Sequence, residues 1–112
     1  IKLKAMAISS ADIYDNGVAI TTCQQVMPDA QLLCAQLADL LLTVKGVKAS
    51  FVVGRNDEMK TVISARSLGA VNVQVIMEKF GGGGHLTTAA AQVETSIDET
   101  VSKIMEIMEV NK

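Results

Sequence analysis

The chain has 112 residues, 49% of them apolar and 20% charged, with a formal net charge of −2, the makeup of one compact domain rather than a disordered segment. No basic stripe exists to follow a long nucleic-acid backbone, and Tyr14, Phe51 and Phe80 are too few aromatics for an extended base-stacking platform. Cys23 and Cys34 lack metal-ligand spacing and read as reduced thiols of a cytoplasmic environment, and no apolar run is long enough to span a bilayer.

Ile1 to Lys4 read as a frayed lead-in, and Lys4 to Ser9 as a first strand. Val18 to Thr22 is a second, and the Asp15-Asn16-Gly17 turn signal between them predicts an antiparallel hairpin. Tyr14 on that loop is expected to pack. Pro28-Asp29 opens a helix that Gly46 ends, with Leu32, Leu33, Ala35, Gln36, Leu37, Leu40 and Leu41 as a broad apolar face and Cys34 packed on it. Val47 to Gly54 and Lys60 to Arg66 read as a hairpin of two strands, with Phe51 and Val53 inward. Alternation puts Val62, Ser64 and Arg66 on one face and Ile63 and Ala65 on the other.

Asn72 is a natural N-cap for a helix to Phe80, whose apolar stripe is Val73, Ile76, Met77 and Phe80. Gly81 to Gly84 and His85 follow, then the small residues Thr87 to Ala91. Four glycines expose N–H groups without Cβ obstruction and take positive φ where a loop must wrap an anion. A helical turn begun at Leu86 to Ala90 would put those groups at its positive end, a phosphate site to which His85 and Thr87 could donate. A last strand over Ala91 to Thr95 and a helix from Ser96 or Asp98 to about Glu109 close the chain. This order predicts an α/β fold, a mixed sheet of about five strands flanked by helices.

Arg66 interrupts an apolar strand end and requires an anionic partner. That partner is either a carboxylate such as Glu78 or a phosphate, which a guanidinium can grip with two parallel hydrogen bonds. No catalytic residue is assigned. A lone His without a paired nucleophile does not support acid–base chemistry, and the scattered acids offer no metal site of the kind two-metal phosphodiester hydrolysis needs.

Gly82-Gly83-Gly84-His85, joined to Ile63-Ser64-Ala65-Arg66-Ser67-Leu68-Gly69 and Asn72 to Glu78 at this spacing, resembles the DHH-associated domain of membrane-anchored cyclic-di-AMP phosphodiesterases of the GdpP type. The resemblance runs from about Tyr14 to the last helix. It implies that residues 1–112 are a single DHH-associated substrate-binding domain, a C-terminal fragment of a longer enzyme, as a chain opening at Ile1 also suggests. It implies that Ser64, Arg66, Ser67, Gly82, Gly83, Gly84 and His85 face a cleft holding a cyclic dinucleotide or short nucleotide, which the intact enzyme opens to pApA. The DHH catalytic domain of the same chain would be the partner and would carry manganese. This fragment would hold no cofactor, show no activity alone, and lie at the cytoplasmic face of the membrane without touching it. Two other readings stay open: an end-binding module for single-stranded nucleic acid, as in DHH exonucleases, and an interaction domain, including a homodimer.

Overall fold

The computed structural model describes residues 2–111. A six-stranded mixed sheet has helices on both faces. Of the expected frayed lead-in, Ile1 lies outside the described residues, and α1 (Lys2–Ser9) is helical where a strand was expected. Its alternating Lys, Leu, Ala and Met mimic a strand pattern, but all four are good helix formers, and Ala7 is buried in the apolar cluster beneath the helix. The Thr21 hydroxyl donates to the Ala7 carbonyl at 2.6 Å, tying α1 to the sheet.

The Asn-Gly turn does close a hairpin, with a shorter partner than expected: β1 (Asp12–Ile13) pairs antiparallel with β2 (Val18–Met27). Gly17, at φ +87°, makes that turn. Helix α2 (Ala30–Leu41) then carries the chain across to β3 (Ala49–Asn56), which runs parallel to β2, and β4 (Thr61–Ser67) returns antiparallel. Next come α3 (Val73–Glu78), β5 (Gly83–Gly84), β6 (Thr88–Val93) and α4 (Ile97–Ile107). The strand order is β1-β2-β3-β4-β6-β5, so β6 lies between β4 and the short edge strand β5.

Burial of α2 differs from expectation. Its inward stripe is Ala30, Cys34, Leu37, Ala38 and Leu41, whereas Leu32 and Leu40 are 59% and 50% exposed. Small residues on the stripe let the helix settle close to the strands: a Cβ added at Gly54 of β3 would come within 2.7 Å of the Cys34 sulfur. The next flank of the helix, Gln31 and Asp39, lies along β4 and bonds to it.

Two apolar clusters sandwich the sheet. Val52 and Val62 meet α1 and α2 on one face; Phe51, Val53, Ile63, Ala65, Ala89 and Ala91 meet α3 and α4 on the other. Helices α3 and α4 divide the second face, α3 over β4–β6 and α4 over β2 and β3. On the first face, α1 lies over β2 and α2 over β2, β3 and β4. The α2 face of β6 and β5 is left open: Thr88 and Gln92 are exposed and Ala90 and Gly83 half-buried, while Ala89 and Ala91 on the reverse side are buried.

Candidate functional site

Pairing fixes what stands on this open face. Ser64 is opposite Ala90, and Ala90 opposite Gly83; Arg66 is opposite Thr88. His85 and Thr88 close the β5–β6 hairpin, the His85 N–H donating to the Thr88 carbonyl at 2.7 Å and the Thr88 N–H returning at 3.3 Å. Two rows result, Ser64–Ala90–Gly83 and Arg66–Thr88–His85, about 7 Å apart along the strands. Each spans about 10 Å across them. The floor consists of small side chains, and the flank of α2 forms a wall.

The expected helical turn at Leu86 to Ala90 is absent; those residues are a hairpin turn and the start of β6. Helix-dipole binding of an anion there is therefore excluded. Strand pairing wins because the glycines let β5 lie flush against β6. A Cβ at Gly82 would stand 2.1 Å from the Ala90 carbonyl oxygen, and one at Gly84 2.4 Å from that of Thr88. Gly81, at φ +81°, ends α3 with its N–H on the Glu78 carbonyl. Gly83 differs from all three: its φ is ordinary and a Cβ there would meet nothing within 4 Å. Three of the four glycines serve the fold, and the fourth leaves bare backbone on an open face.

Arg66 is anchored. Its side chain is 14% exposed and its Nε donates to Asp39 Oδ1 at 2.7 Å, while Nη1 donates to the Ala65 carbonyl at 3.0 Å. The carboxylate partner is thus Asp39 of α2, not Glu78, which accepts from Gln74. Among the described residues the Nη2 hydrogens have no protein acceptor, so part of the guanidinium stays available beside Thr88.

The other predicted residues divide by face. Ser64, fully buried, receives Gln31 Nε2 at 2.9 Å and supports that side chain from below. Ser67 points to the opposite face, donating to the Val71 carbonyl at 2.6 Å and accepting from the Gly69 N–H at 3.2 Å, which shapes the turn after β4. Thr87 is exposed, and its carbonyl accepts from the Ser67 N–H at 3.0 Å, binding the hairpin turn to β4. His85 is exposed; its imidazole has no hydrogen-bond partner among the described residues. Asp39 and Gln31 escaped sequence reasoning, since nothing marks two polar positions on an apolar helix as facing β4 until the stripe that packs is known.

Elsewhere, Tyr14 packs on the α3–α4 cluster, where burial, and then Asp12, push its hydroxyl pKa up. It lines an open concavity of about 410 Å³ with Asn16 and Glu109, remote from the rows described. Among the described residues no group of three or more His, Cys, Asp and Glu is placed to hold a metal ion. None of their helices is long and apolar enough to cross a membrane.

Comparison with known proteins gives a consistent answer. The DHHA1 domain family model matches residues 15–110. The chain is 48% identical over 104 residues to a cyclic-di-AMP phosphodiesterase, GdpP, of Geobacillus thermodenitrificans, covering 92% of this chain and 16% of that protein. It is 46% identical over 91 residues to the cyclic-di-AMP phosphodiesterase PdeA of Listeria monocytogenes, covering 81% of this chain and 14% of that one. Among solved structures, an exopolyphosphatase-related protein from Bacteroides fragilis superposes with TM-score 0.82 at 22% identity, over 96% of this chain and 33% of that chain, which shows a shared fold. The chain thus spans about one sixth of the length of these curated relatives.

Proposed function

Because the chain belongs to the DHHA1 domain family, we propose that it is the substrate-holding domain of a longer phosphodiesterase that opens cyclic-di-AMP to pApA. The observation that carries this reading is Gly83. No feature of the fold requires a glycine there, and it lies on the same open sheet face as the free side of Arg66. A ligand approaching the backbone supplies the missing reason. Arg66 donates to a phosphate oxygen through its Nη groups, with Thr88, Thr87 and His85 at the same end of the face. Ser64 and Ser67 act by holding Gln31 and the turn after β4.

Among the described residues none are grouped to hold a metal ion, and no chemical step is assigned to them. Their contribution is positional: a phosphate and a nucleoside held on a rigid sheet give the scissile bond a fixed place, which removes much of the entropy cost of the encounter. An open face with one wall is half a cleft. A DHH catalytic domain of the same chain would close it, and the short coverage of the phosphodiesterase relatives agrees with such a partner. Manganese and any membrane anchor would belong to those other parts.

The test is an NMR titration with cyclic-di-AMP and pApA, comparing wild type with Arg66→Ala. Shifts centred on residues 64–69 and 81–88 that vanish in the variant are expected. Shifts that persist in Arg66→Ala, or that map to the Tyr14–Glu109 concavity, would overturn the assignment.

A further inference from the structure

The open face has a second polar end, opposite to Arg66. Gln31, at the start of α2, donates through Nε2 to two acceptors at once, Ser64 Oγ at 2.9 Å and the Ile63 carbonyl at 3.2 Å. The Ile63 carbonyl is an acceptor only, so the amide cannot be flipped, and both of its hydrogens are spoken for. What remains is Oε1, an acceptor with no protein donor among the described residues. It stands beside the row Ser64–Ala90–Gly83, whose floor is a methyl group and a bare backbone. Gln31 and Asp39 are eight residues apart on α2, about 12 Å along its axis, so the amide and the guanidinium bracket the wall.

We infer that Gln31 is the specificity-determining residue of this face, reading the exocyclic amine of a 6-aminopurine through Oε1 while Arg66 holds the phosphate of the same nucleotide. The inference rests on the proposed nucleotide-holding role and adds what selects the base. Adenine presents an N–H donor at position 6, which completes the pair with Oε1. Guanine presents a carbonyl oxygen there, which sets two acceptors against each other and leaves both without their water. The ring lies over Ala90 and Gly83, where larger side chains would exclude it. A fixed amide is needed for this selection: a glutamine free to rotate would offer Nε2 to guanine equally well, and the Ile63 carbonyl, which can only accept, prevents that rotation.

Calorimetric titrations of pApA and of pGpG into wild type, Gln31→Met and Arg66→Ala test it. Met keeps the length of the side chain and removes the acceptor. In that variant the Ser64 hydroxyl retains the backbone carbonyl of residue 31 at 3.5 Å, so a thermal midpoint near that of wild type confirms that the fold is intact. Wild type is expected to prefer pApA by about tenfold, and Gln31→Met to lose about fivefold for pApA with no loss for pGpG, the scale of one uncharged hydrogen bond. Arg66→Ala is expected to weaken both ligands alike. No preference in wild type, or a preference unchanged in Gln31→Met, overturns the role of Gln31. If that happens while Arg66→Ala still weakens both ligands, the nucleotide-holding role stands and the base is read elsewhere. Binding indifferent to Arg66→Ala, or absent in wild type, removes both.

Discussion

Asp39 takes the Nε edge of Arg66, and this pairing has two opposite consequences for an anion arriving at the guanidinium. The carboxylate repels the ligand, yet it also fixes a long side chain that would otherwise sample many rotamers. Because Asp39 is 64% exposed, the pair adds less than about 1 kcal/mol to stability. Its value lies in orientation. Asp39→Ala is expected to leave the thermal midpoint almost unchanged while weakening pApA binding about fivefold, near 1 kcal/mol. Asp39→Asn, which keeps an oxygen facing Nε, should restore most of that affinity. Tighter binding by the alanine variant would show that repulsion dominates and that Arg66 needs no guide. That Arg66 must meet an anion was legible from its place at an apolar strand end; which anion was not, because the choice depends on which flank of α2 faces β4.

At the scale of elements, the glycine tetrad separates two kinds of requirement that look alike in sequence. Gly82 is required by β6, since a methyl group there would collide with a backbone carbonyl that cannot move without opening the ladder. Gly83→Ala meets open space and should fold as well as wild type, whereas Gly82→Ala should lose about 1–3 kcal/mol, the cost of overpacking. Thermal melts rank the two. Nucleotide titration should invert the ranking of interest: Gly83→Ala, folded and stable, is expected to bind pApA several-fold more weakly. Unchanged binding in that variant would mean that no ligand approaches this backbone. The helix opened by Pro28-Asp29, the capped start of α3 at Asn72 and the start of α4 at Ser96, one of two positions read for it, were legible because their signals are local. Helix α2, however, ends at Leu41, before the Gly46 expected to end it. The reading of Leu86–Ala90 as a helical turn failed because small residues carry no period, and only pairing with β4 and β5 makes them a strand. Lys4–Ser9 failed for the converse reason: its alternation is local, and the packing of Ala7 that overrides it is not.

For the whole molecule, the two-faced core makes the sheet's middle strands depend on α2 remaining seated, and Cys34 sits at the centre of that contact. It is fully buried, near Cys23 and under Gly54. Desolvation first, and then the neighbouring Cys23, push its thiol pKa from 9.0 up to about 12. The folded state therefore holds a proton that the unfolded chain releases above pH 9. The unfolded state binds fewer protons in that range, so stability falls as pH rises from about 9 towards 12 and is flat from this source below pH 8. Urea unfolding at pH 8 and pH 10 should show the drop in wild type and a smaller one in Cys34→Ala, which starts lower because a cavity replaces the sulfur. Equal slopes in the two proteins would place the alkaline loss in other groups. The same burial predicts that alkylating reagents reach Cys34 only through opening of the α2 contact. The open face over β6 and β5 lies outside this seam, since α2 packs on β2, β3 and β4. Substitutions at Gly83 can therefore be read as binding effects and those at Cys34 as effects on the fold, while Gln31, which bonds α2 to β4, needs the thermal midpoint beside its binding data.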